Sequence, residues 1–329
     1  MQVSVLGAGS WGTTVASLCS RANPTMLWAR SPEIADGINR DHANPVYVSE
    51  FRLPAELRAT SDLDEAVSGA DLLVVGVPTA GFRDVVRKAA STVRPWVPVV
   101  SLAKGLEPET LLRMTQVVRE ELPGHPAAAL TGPNLAREIL SGQAAASVIA
   151  TEDLALAGAI QQVLGRGLFR VYLNHDVIGC ELGGALKNVI AIAAGIGQGL
   201  GVGDNTRAAV MARGLAEITR LGVAMGAEAA TFAGLAGMGD LIATCMSPYS
   251  RNRIVGERLG QGVPLEQVLA DLHMVAEGVH TASLVLELAD RHGLDLPICR
   301  AIDMVVSGEL SARQAYRGLT PAGHEADPG

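Results

Sequence analysis

The sequence predicts an α/β protein in two parts. An N-terminal doubly wound parallel sheet of the dinucleotide-binding (Rossmann) type is followed by an all-helical C-terminal domain. Three observations carry this reading. The chain opens on a short apolar strand that runs into a glycine-rich turn. Its first half alternates strand and helix signals. Its second half has almost no strand signals. At 329 residues, two domains are expected, because single cores stop growing at roughly 250–300 residues.

The first strand, Gln2–Leu6, leads into Gly7-Ala8-Gly9-Ser10-Trp11-Gly12. In this G-x-G-x-x-G spacing Gly7 permits the tight turn and Gly9 lets the backbone approach a pyrophosphate. Gly12 lets the next helix pack closely on the strand. The helix N-terminus offers unpaired N–H groups to the anion. The alternative is an ordinary strand–helix turn. The context favours the nucleotide, since the turn opens an apolar stretch of Val15, Ala16, Leu18 and Cys19.

Further apolar runs fall at Thr25–Trp28, Leu72–Val77, Val97–Leu102, Ala127–Leu130, Ala146–Ile149 and Leu168–Leu173. Most are near-continuous, as strands covered on both faces should be. Helix-like segments separate several of them, which implies βαβ units and a parallel sheet over residues 1–174. Beyond Asn174 the periodic segments are Asp176–Gln198, Asn205–Met225, Arg251–Leu259, Leu265–Leu272, Thr281–His292 and Ala301–Ser307. In the second of these, Val210, Leu215, Ile218, Leu221 and Met225 approximate a helical apolar stripe. The helical domain is placed at 175–318, and residues 319–329 have the composition of a disordered tail. A cofactor domain joined to a helical domain is expected to leave a cleft for substrate.

The composition is 48% hydrophobic and 18% charged, with a net charge of −8. That balance argues against nucleic acid or an anionic membrane as partner of the whole chain, while leaving room for a local basic pocket. Cys19, Cys180, Cys245 and Cys299 lie far apart with no C-x-x-C. They read as buried, reduced thiols of a cytoplasmic protein, with no disulfide or metal framework. The N-terminus lacks a basic region ahead of its apolar stretch, which reads as a buried strand rather than a signal peptide. The apolar segment Val189–Gly203, interrupted by glycines and Gln198, reads as too short and broken to span a membrane.

At the end of the second strand, an NAD-preferring fold places Asp or Glu on the ribose hydroxyl. Here the residues are Leu27-Trp28-Ala29-Arg30-Ser31-Pro32, and Glu33 comes late. Arg30 and Ser31 suit a 2′-phosphate, which favours NADP(H) with NAD(H) also used; the alternative is a solvated surface arginine. Three later strand ends carry Val77-Pro78-Thr79, Ser101-Leu102-Ala103-Lys104-Gly105 and Thr131-Gly132-Pro133-Asn134. Each is either a plain turn or part of a ligand-binding edge.

In the helical half, Gly183-Gly184-Ala185-Leu186-Lys187-Asn188 sets a lysine inside an apolar helix, with glycines one turn earlier that let something approach. A buried lysine is costly unless paired or used, and burial tunes it for proton transfer; the alternative is a lysine snorkelling to solvent. Gly237-Met238-Gly239-Asp240 offers one carboxylate, either a ligand-orienting group or a helix cap. Ser250-Arg251-Asn252 reads as a capped helix start. It is either an anion receptor or a surface arginine. Val275-Ala276-Glu277-Gly278 sets an acid beside a glycine.

Together these motifs resemble the bacterial NAD(P)-dependent glycerol-3-phosphate dehydrogenases. The match runs through GAGSWGT, VPT, the Lys104-Gly105 loop, TGPN-x-A-x-E, E-x-GGALKN, GxGDNT-x-A, RGLAE, GxGDL-x-x-TC, SRN and EGV-x-T. It departs at Thr131, where many members have serine, and is loose after Thr281. The resemblance implies a 6-phosphogluconate dehydrogenase-like arrangement. It also implies reversible reduction of dihydroxyacetone phosphate to sn-glycerol 3-phosphate for glycerophospholipid synthesis. It places Ser10, Trp11, Arg30, Tyr47, Lys104, Ala136, Arg251, Val275 and Glu277 on the nicotinamide cofactor. It places Lys104, Gly132, Asn134, Lys187, Asp240, Ser250, Arg251 and Asn252 on the substrate. Lys187 is then the proton donor and acceptor, with Asp240, Lys104 and Asn188 beside it in the catalytic group. The apolar helical domain is compatible with a homodimer. The rival readings are a related hydroxy-acid dehydrogenase and a non-catalytic dinucleotide sensor.

Overall fold

An eight-stranded sheet organises the first half of the computed structural model, which describes residues 1–272 and 275–318. Its elements are β1 (Val3–Leu6), α1 (Ser10–Ser20), β2 (Thr25–Trp28), α2 (Pro32–Asp41), β3 (Arg58–Thr60), α3 (Leu63–Ser68), β4 (Leu72–Val75) and α4 (Thr79–Ala89). There follow β5 (Val99–Ser101), α5 (Met114–Glu121), β6 (Ala127–Thr131), α6 (Ala136–Leu140), β7 (Ala145–Ala150), α7 (Leu154–Leu164) and β8 (Phe169–Asn174). The strand order is β3-β2-β1-β4-β5-β6-β7-β8. β1, β4 and β6 are buried at every residue, because helices cover both faces of a doubly wound sheet.

The sheet departs from the all-parallel expectation at one step. β6 and β7 pair antiparallel, with Leu130 opposite Ile149, whereas β7 and β8 pair parallel. The connections explain both. A parallel return needs a crossover of a dozen or more residues, usually with a helix. Between β7 and β8 the eleven-residue α7 supplies it. Between β6 and β7 the only helix is the five-residue α6. The sequence reading also lacks β3. This strand is three residues long and buries only Ala59. The Asn39 side chain of α2 holds its outer edge, donating to Ala59 O at 2.7 Å and accepting from Ala59 N at 2.9 Å. A side-chain amide there replaces a neighbouring strand, and no local pattern announces it.

The glycine-rich turn is built as its spacing requires. Gly7 has φ +109°, and a Cβ there would meet the Gly76 carbonyl at 2.9 Å. A Cβ on Gly12 would lie 1.9 Å from Gly7 O, so α1 can start against the turn only without one.

The second unit is helical: α8 (Val177–Gly199), α9 (Asp204–Ala224), α10 (Ala229–Ala233), a π-helical turn at Leu235–Gly239, α11 (Asp240–Met246), α12 (Arg251–Gly260), α13 (Leu265–Leu272), α14 (Glu277–Arg291), α15 (Pro297–Val306) and α16 (Ala312–Gly318). Chain contacts group residues Met1–Ala103 and Leu112–Val177 as one unit, and Lys104–Leu111 with the described residues that follow Val177 as the other. The expected first domain of 1–174 is therefore interrupted. Leu106 and Leu111 join the hydrophobic core built on α8, which draws 104–111 out of the sheet unit. The tail expected at 319–329 lies outside the described residues.

α8 corrects the argument made from length. It runs unbroken for 23 residues, so in length and hydropathy it matches a membrane span, but 94% of its apolar window is buried inside the protein. Several of its glycines are places where a neighbouring backbone packs against it. Cβ atoms on Gly195 and Gly199 would meet Arg253 O and Glu257 O of α12 at 2.1 and 2.0 Å. On the opposite side of this contact, a Cβ on Gly256 would meet Ile192 O at 2.0 Å.

Glu217, in the RGLAE motif of α9, is a buried carboxylate that accepts from Ile298 N at 2.8 Å and Cys299 N at 3.1 Å. These are first-turn donors of α15, which has no capping side chain of its own. Glu217→Ala leaves both donors buried and unpaired, so the expected loss is about 2–3 kcal/mol of unfolding free energy. Urea denaturation measures it, and a change below about 0.5 kcal/mol contradicts this role.

Candidate functional site

In the sheet unit, the nucleotide-binding candidates cluster on the turn after β1. β1 and β2 lie side by side, and Gly7 N donates to Trp28 O at 3.0 Å, joining the turn to the end of β2. Arg30 follows that strand end and is exposed. Ser31 does not stand open for a phosphate, since its hydroxyl donates to the Glu33 carboxylate in the first turn of α2. That bond and the Glu33 backbone N–H hold the Glu33 carboxyl below its ordinary range. The acid that comes late in sequence thus folds back to the residue after Arg30.

The residues around this turn fit a dinucleotide. Gly9 would meet nothing within 4 Å if it bore a Cβ, so open space lies beside it. The N-terminus of α1 has no capping side chain, which leaves its first N–H groups for an anion. The Trp11 indole N–H is buried with no hydrogen-bond partner among the described residues, while its ring packs edge-on against Phe169 at 6.0 Å. Tyr47 sits half-buried, and its carbonyl accepts from Ser10 Oγ at 3.4 Å. After β6, Gly132 adopts φ +110° beside Ser147, and Asn134 Nδ2 donates to Ser147 Oγ at 3.2 Å. Ala136 begins α6.

In the helical unit the structure brings Lys104, Lys187 and Asp240 onto one another. Lys187 Nζ lies 2.6 Å from Asp240 Oδ1, and Lys104 Nζ lies 2.9 Å from Asp240 Oδ2. Side-chain exposures are 5% for Lys187, 3% for Asp240 and 18% for Lys104, so one desolvated carboxylate serves two ammonium groups. Lys187 also donates to the Thr244 hydroxyl, one turn along α11 from Asp240. Thr244 was not singled out in the sequence, although the T of GxGDL-x-x-TC marks it. Burial pulls the Lys104 amine down to about 8, against the opposing pull of Asp240. The cap alternative for Asp240 does not hold, because its oxygens face the lysines and Gly239 occupies the N-cap.

Gly183, one turn before Lys187, is explained by backbone rather than ligand. A Cβ on Gly183 would lie 2.7 Å from Ala236 O in the π-helical turn. A Cβ on Gly237 would lie 2.2 Å from Phe232 O. These close approaches bring the start of α11, and with it Asp240, within reach of Lys187.

A second network joins the remaining candidates. Asn188 Nδ2 donates to Lys104 O at 3.1 Å. Asn252 Nδ2 donates to Asn188 Oδ1 at 2.9 Å, and Asn252 Oδ1 accepts from Gly278 N at 3.0 Å. Ser250 caps α12 by accepting from Arg253 N at 3.3 Å. Arg251 Nη1 donates to Val275 O at 2.6 Å, just before Glu277 opens α14. Arg253, absent from the sequence candidates, is buried between Ser247 O, Gln198 and Glu257 and fixes the start of α12. All four cysteines are buried, and the Cys245 thiol, close to Lys187, is pushed up to about 12 by burial. Among the described residues, no group of three or more His, Cys, Asp or Glu side chains is placed to hold a metal ion.

A sheet unit with this glycine-rich turn, together with a helical unit that buries two lysines on one carboxylate, defines a dinucleotide-dependent dehydrogenase of the two-domain α/β class. The comparisons are specific. Residues 2–157 match the model for the NAD-dependent glycerol-3-phosphate dehydrogenase N-terminus, and residues 176–317 match that for its C-terminus. The chain belongs to this family. It is 57% identical to glycerol-3-phosphate dehydrogenase [NAD(P)+] 2 of Sphingopyxis alaskensis, covering 100% of this chain and 99% of that protein. It is 54% identical to the glycerol-3-phosphate dehydrogenase [NAD(P)+] of Mycobacterium avium, covering 98% and 96%. The crystal structure of glycerol-3-phosphate dehydrogenase from Coxiella burnetii superposes with a TM-score of 0.93 at 33% identity, covering 97% of this chain and 98% of that one.

The lysine cluster makes a direct prediction. The chain has three lysines, Lys88, Lys104 and Lys187, so selective carbon-13 labelling gives three side-chain signals. The Lys104 signal is expected to titrate near pH 8, and lower in Asp240→Asn, where the counter-charge is gone. A Lys104 signal titrating in the ordinary lysine range, near 10.4, contradicts the burial argument.

Proposed function

We propose that this protein catalyses the reversible NAD(P)H-dependent reduction of dihydroxyacetone phosphate to sn-glycerol 3-phosphate. The observation that carries the reading is the buried Lys104–Asp240–Lys187 cluster in a chain of this family. The nicotinamide, when bound, supplies the hydride that C2 of the substrate accepts. Negative charge then develops on the C2 oxygen, and Lys187 Nζ stabilises it and gives it a proton. Asp240 offsets the cost of holding Lys187 charged in a desolvated place. Lys104, Arg251 and the start of α12 with Asn252 hold the substrate phosphate, and that remote anchor orients the carbonyl. Asn252 keeps one amide N–H beyond its bond to Asn188 for this purpose.

The residues on the turn after β1, with Arg30, Tyr47 and Ala136, are the proposed cofactor contacts, joined by Arg251, Val275 and Glu277. Arg30 favours a 2′-phosphate. We place the enzyme in the cytoplasm, supplying glycerol 3-phosphate for phospholipid synthesis. Four buried, widely spaced cysteines and a net charge of −8 support a cytoplasmic protein without a nucleic-acid or membrane partner. A homodimer is the proposed assembly.

The first test follows NADPH absorbance with dihydroxyacetone phosphate. Consumption of NADPH is expected. Activity confined to an unphosphorylated hydroxy acid supports the rival dehydrogenase reading, and nucleotide binding without turnover supports a sensor. Lys187→Ala is expected to lower kcat by about 10²–10⁴-fold while KM for dihydroxyacetone phosphate changes little. Near-normal turnover removes Lys187 from proton transfer. KM for the phosphorylated substrate is expected to rise as pH passes through about 8, because Lys104 is charged below that value and neutral above it. Initial rates across pH 6.5–9 with NADPH saturating provide the check, the range being set at about 1.5 units below and one above that value.

A further inference from the structure

Asn44 lies in the loop between α2 and β3 and is fully buried, with 0% exposure. Its amide uses every hydrogen-bonding position it has. Nδ2 donates to Ala8 O at 2.8 Å and to Thr13 Oγ1 at 2.8 Å. Oδ1 accepts from Val46 N and Tyr47 N, both at 3.2 Å. Two donors and two acceptor sites are the whole capacity of an asparagine side chain. The two halves of the amide face different things. The nitrogen holds the glycine-rich turn, through the carbonyl between Gly7 and Gly9 and through the first turn of α1. The oxygen holds the loop that presents Tyr47, whose own carbonyl accepts from Ser10 Oγ.

The rest of the loop supports this placement. Val48 is fully buried, Leu53 N donates to His42 O at 2.7 Å, and a Cβ on Gly37 would touch Pro45 Cδ at 3.0 Å. The start of the loop therefore packs on α2, the His42–Leu53 bond closes it, and Asn44 is the side chain that ties it to the turn.

We propose that Asn44 is a positioning residue for cofactor binding, setting the Gly7–Gly12 turn and the Tyr47 loop at a fixed distance through one buried amide. This rests on the reading of that turn and of Tyr47 as cofactor contacts. Asn44 touches no reacting atom, so its effect falls on the cofactor rather than on proton transfer. Without its amide, the Ala8 carbonyl and the two loop N–H groups lose buried partners, and the turn must reorganise before it can receive a pyrophosphate.

The experiment compares the full-length wild type with Asn44→Ala, Asn44→Asp and Thr13→Val. NADPH binding is read by fluorescence titration, steady-state constants by absorbance and melting temperature by calorimetry. Asn44→Ala is expected to raise Kd and KM for NADPH about tenfold, with kcat at saturating NADPH and KM for dihydroxyacetone phosphate within about twofold. Asn44→Asp keeps the acceptor for Val46 N and Tyr47 N but sets a buried carboxylate oxygen against Ala8 O beside the pyrophosphate turn, so a rise of at least about tenfold is expected. A lowered melting temperature with unchanged NADPH affinity in any folded variant at position 44 reduces Asn44 to a structural residue and overturns the proposal. Should Asn44→Ala fail to fold, Asn44→Asp and Thr13→Val decide by the same criterion. A wild type that binds no NADPH overturns the cofactor reading of the turn itself, and the proposal with it.

Discussion

The Asp240 carboxylate is the constraint on which the helical unit depends. Two ammonium groups withdrawn from water carry a desolvation cost of several kcal/mol each, and one carboxylate at 2.6 and 2.9 Å answers both. The three side chains come from three separated places: the loop after β5, the middle of α8 and the start of α11. The Lys104 pairing acts with Leu106 and Leu111, which lie in the core built on α8, to make residues 104–111 part of the helical unit. The pairing of the three side chains also explains the π-helical turn before Asp240. Such turns alter the phase of a helix locally and often occur at functional sites, and here the turn presses on Gly183 so that α11 starts within reach of Lys187.

Close backbone approach is the device used throughout this unit. Gly183, Gly195, Gly199 and Gly256 each have a neighbouring carbonyl where a side chain would stand. The result is a core helix with lysine and asparagine side chains held at set distances from α11 and α12. The Asn188–Asn252–Gly278 chain then carries that registration to the start of α14, next to Val275 and Glu277.

Much of this was legible in the sequence, and the omissions have physical causes. Seven of the eight strands were apparent, because buried strands of a doubly wound sheet are apolar runs; β3 buries only Ala59, and an asparagine side chain holds it. The reversal at β7 depends on what the β6–β7 connection can span, which apolar patterning does not record. Lys187, Asp240 and Ser250-Arg251-Asn252 stood out as charges and caps in apolar or glycine-rich settings. Thr244 did not, being one threonine in an ordinary helix, and Lys104 stood out at its own strand end but not as a partner of Asp240, 136 positions away. The glycines near Lys187 were recognised as points of close approach, but sequence does not distinguish an approaching ligand from an approaching backbone. Asn44 escaped because a polar residue in a loop is unremarkable until its burial is known.

The choice of cation sharpens the reading of the site. The chain has 26 basic residues, of which only three are lysine, and two of those three meet at Asp240. Elsewhere arginine holds the ion pairs, as in Arg83 and Arg87 on Glu121 and Arg253 on Glu257. Arginine stays protonated in proteins and binds carboxylates as a rigid fork, so it serves where a charge must be permanent. A lysine is a compact point charge whose proton can be lost when burial lowers its affinity. Of the two, Lys187 is the residue proposed to pass a proton to the substrate, and Lys104 is the one whose amine burial pulls down to about 8. That usage supports the proposed chemistry of the cluster, since arginine holds the fixed pairs whether exposed, as at Arg87, or buried, as at Arg253.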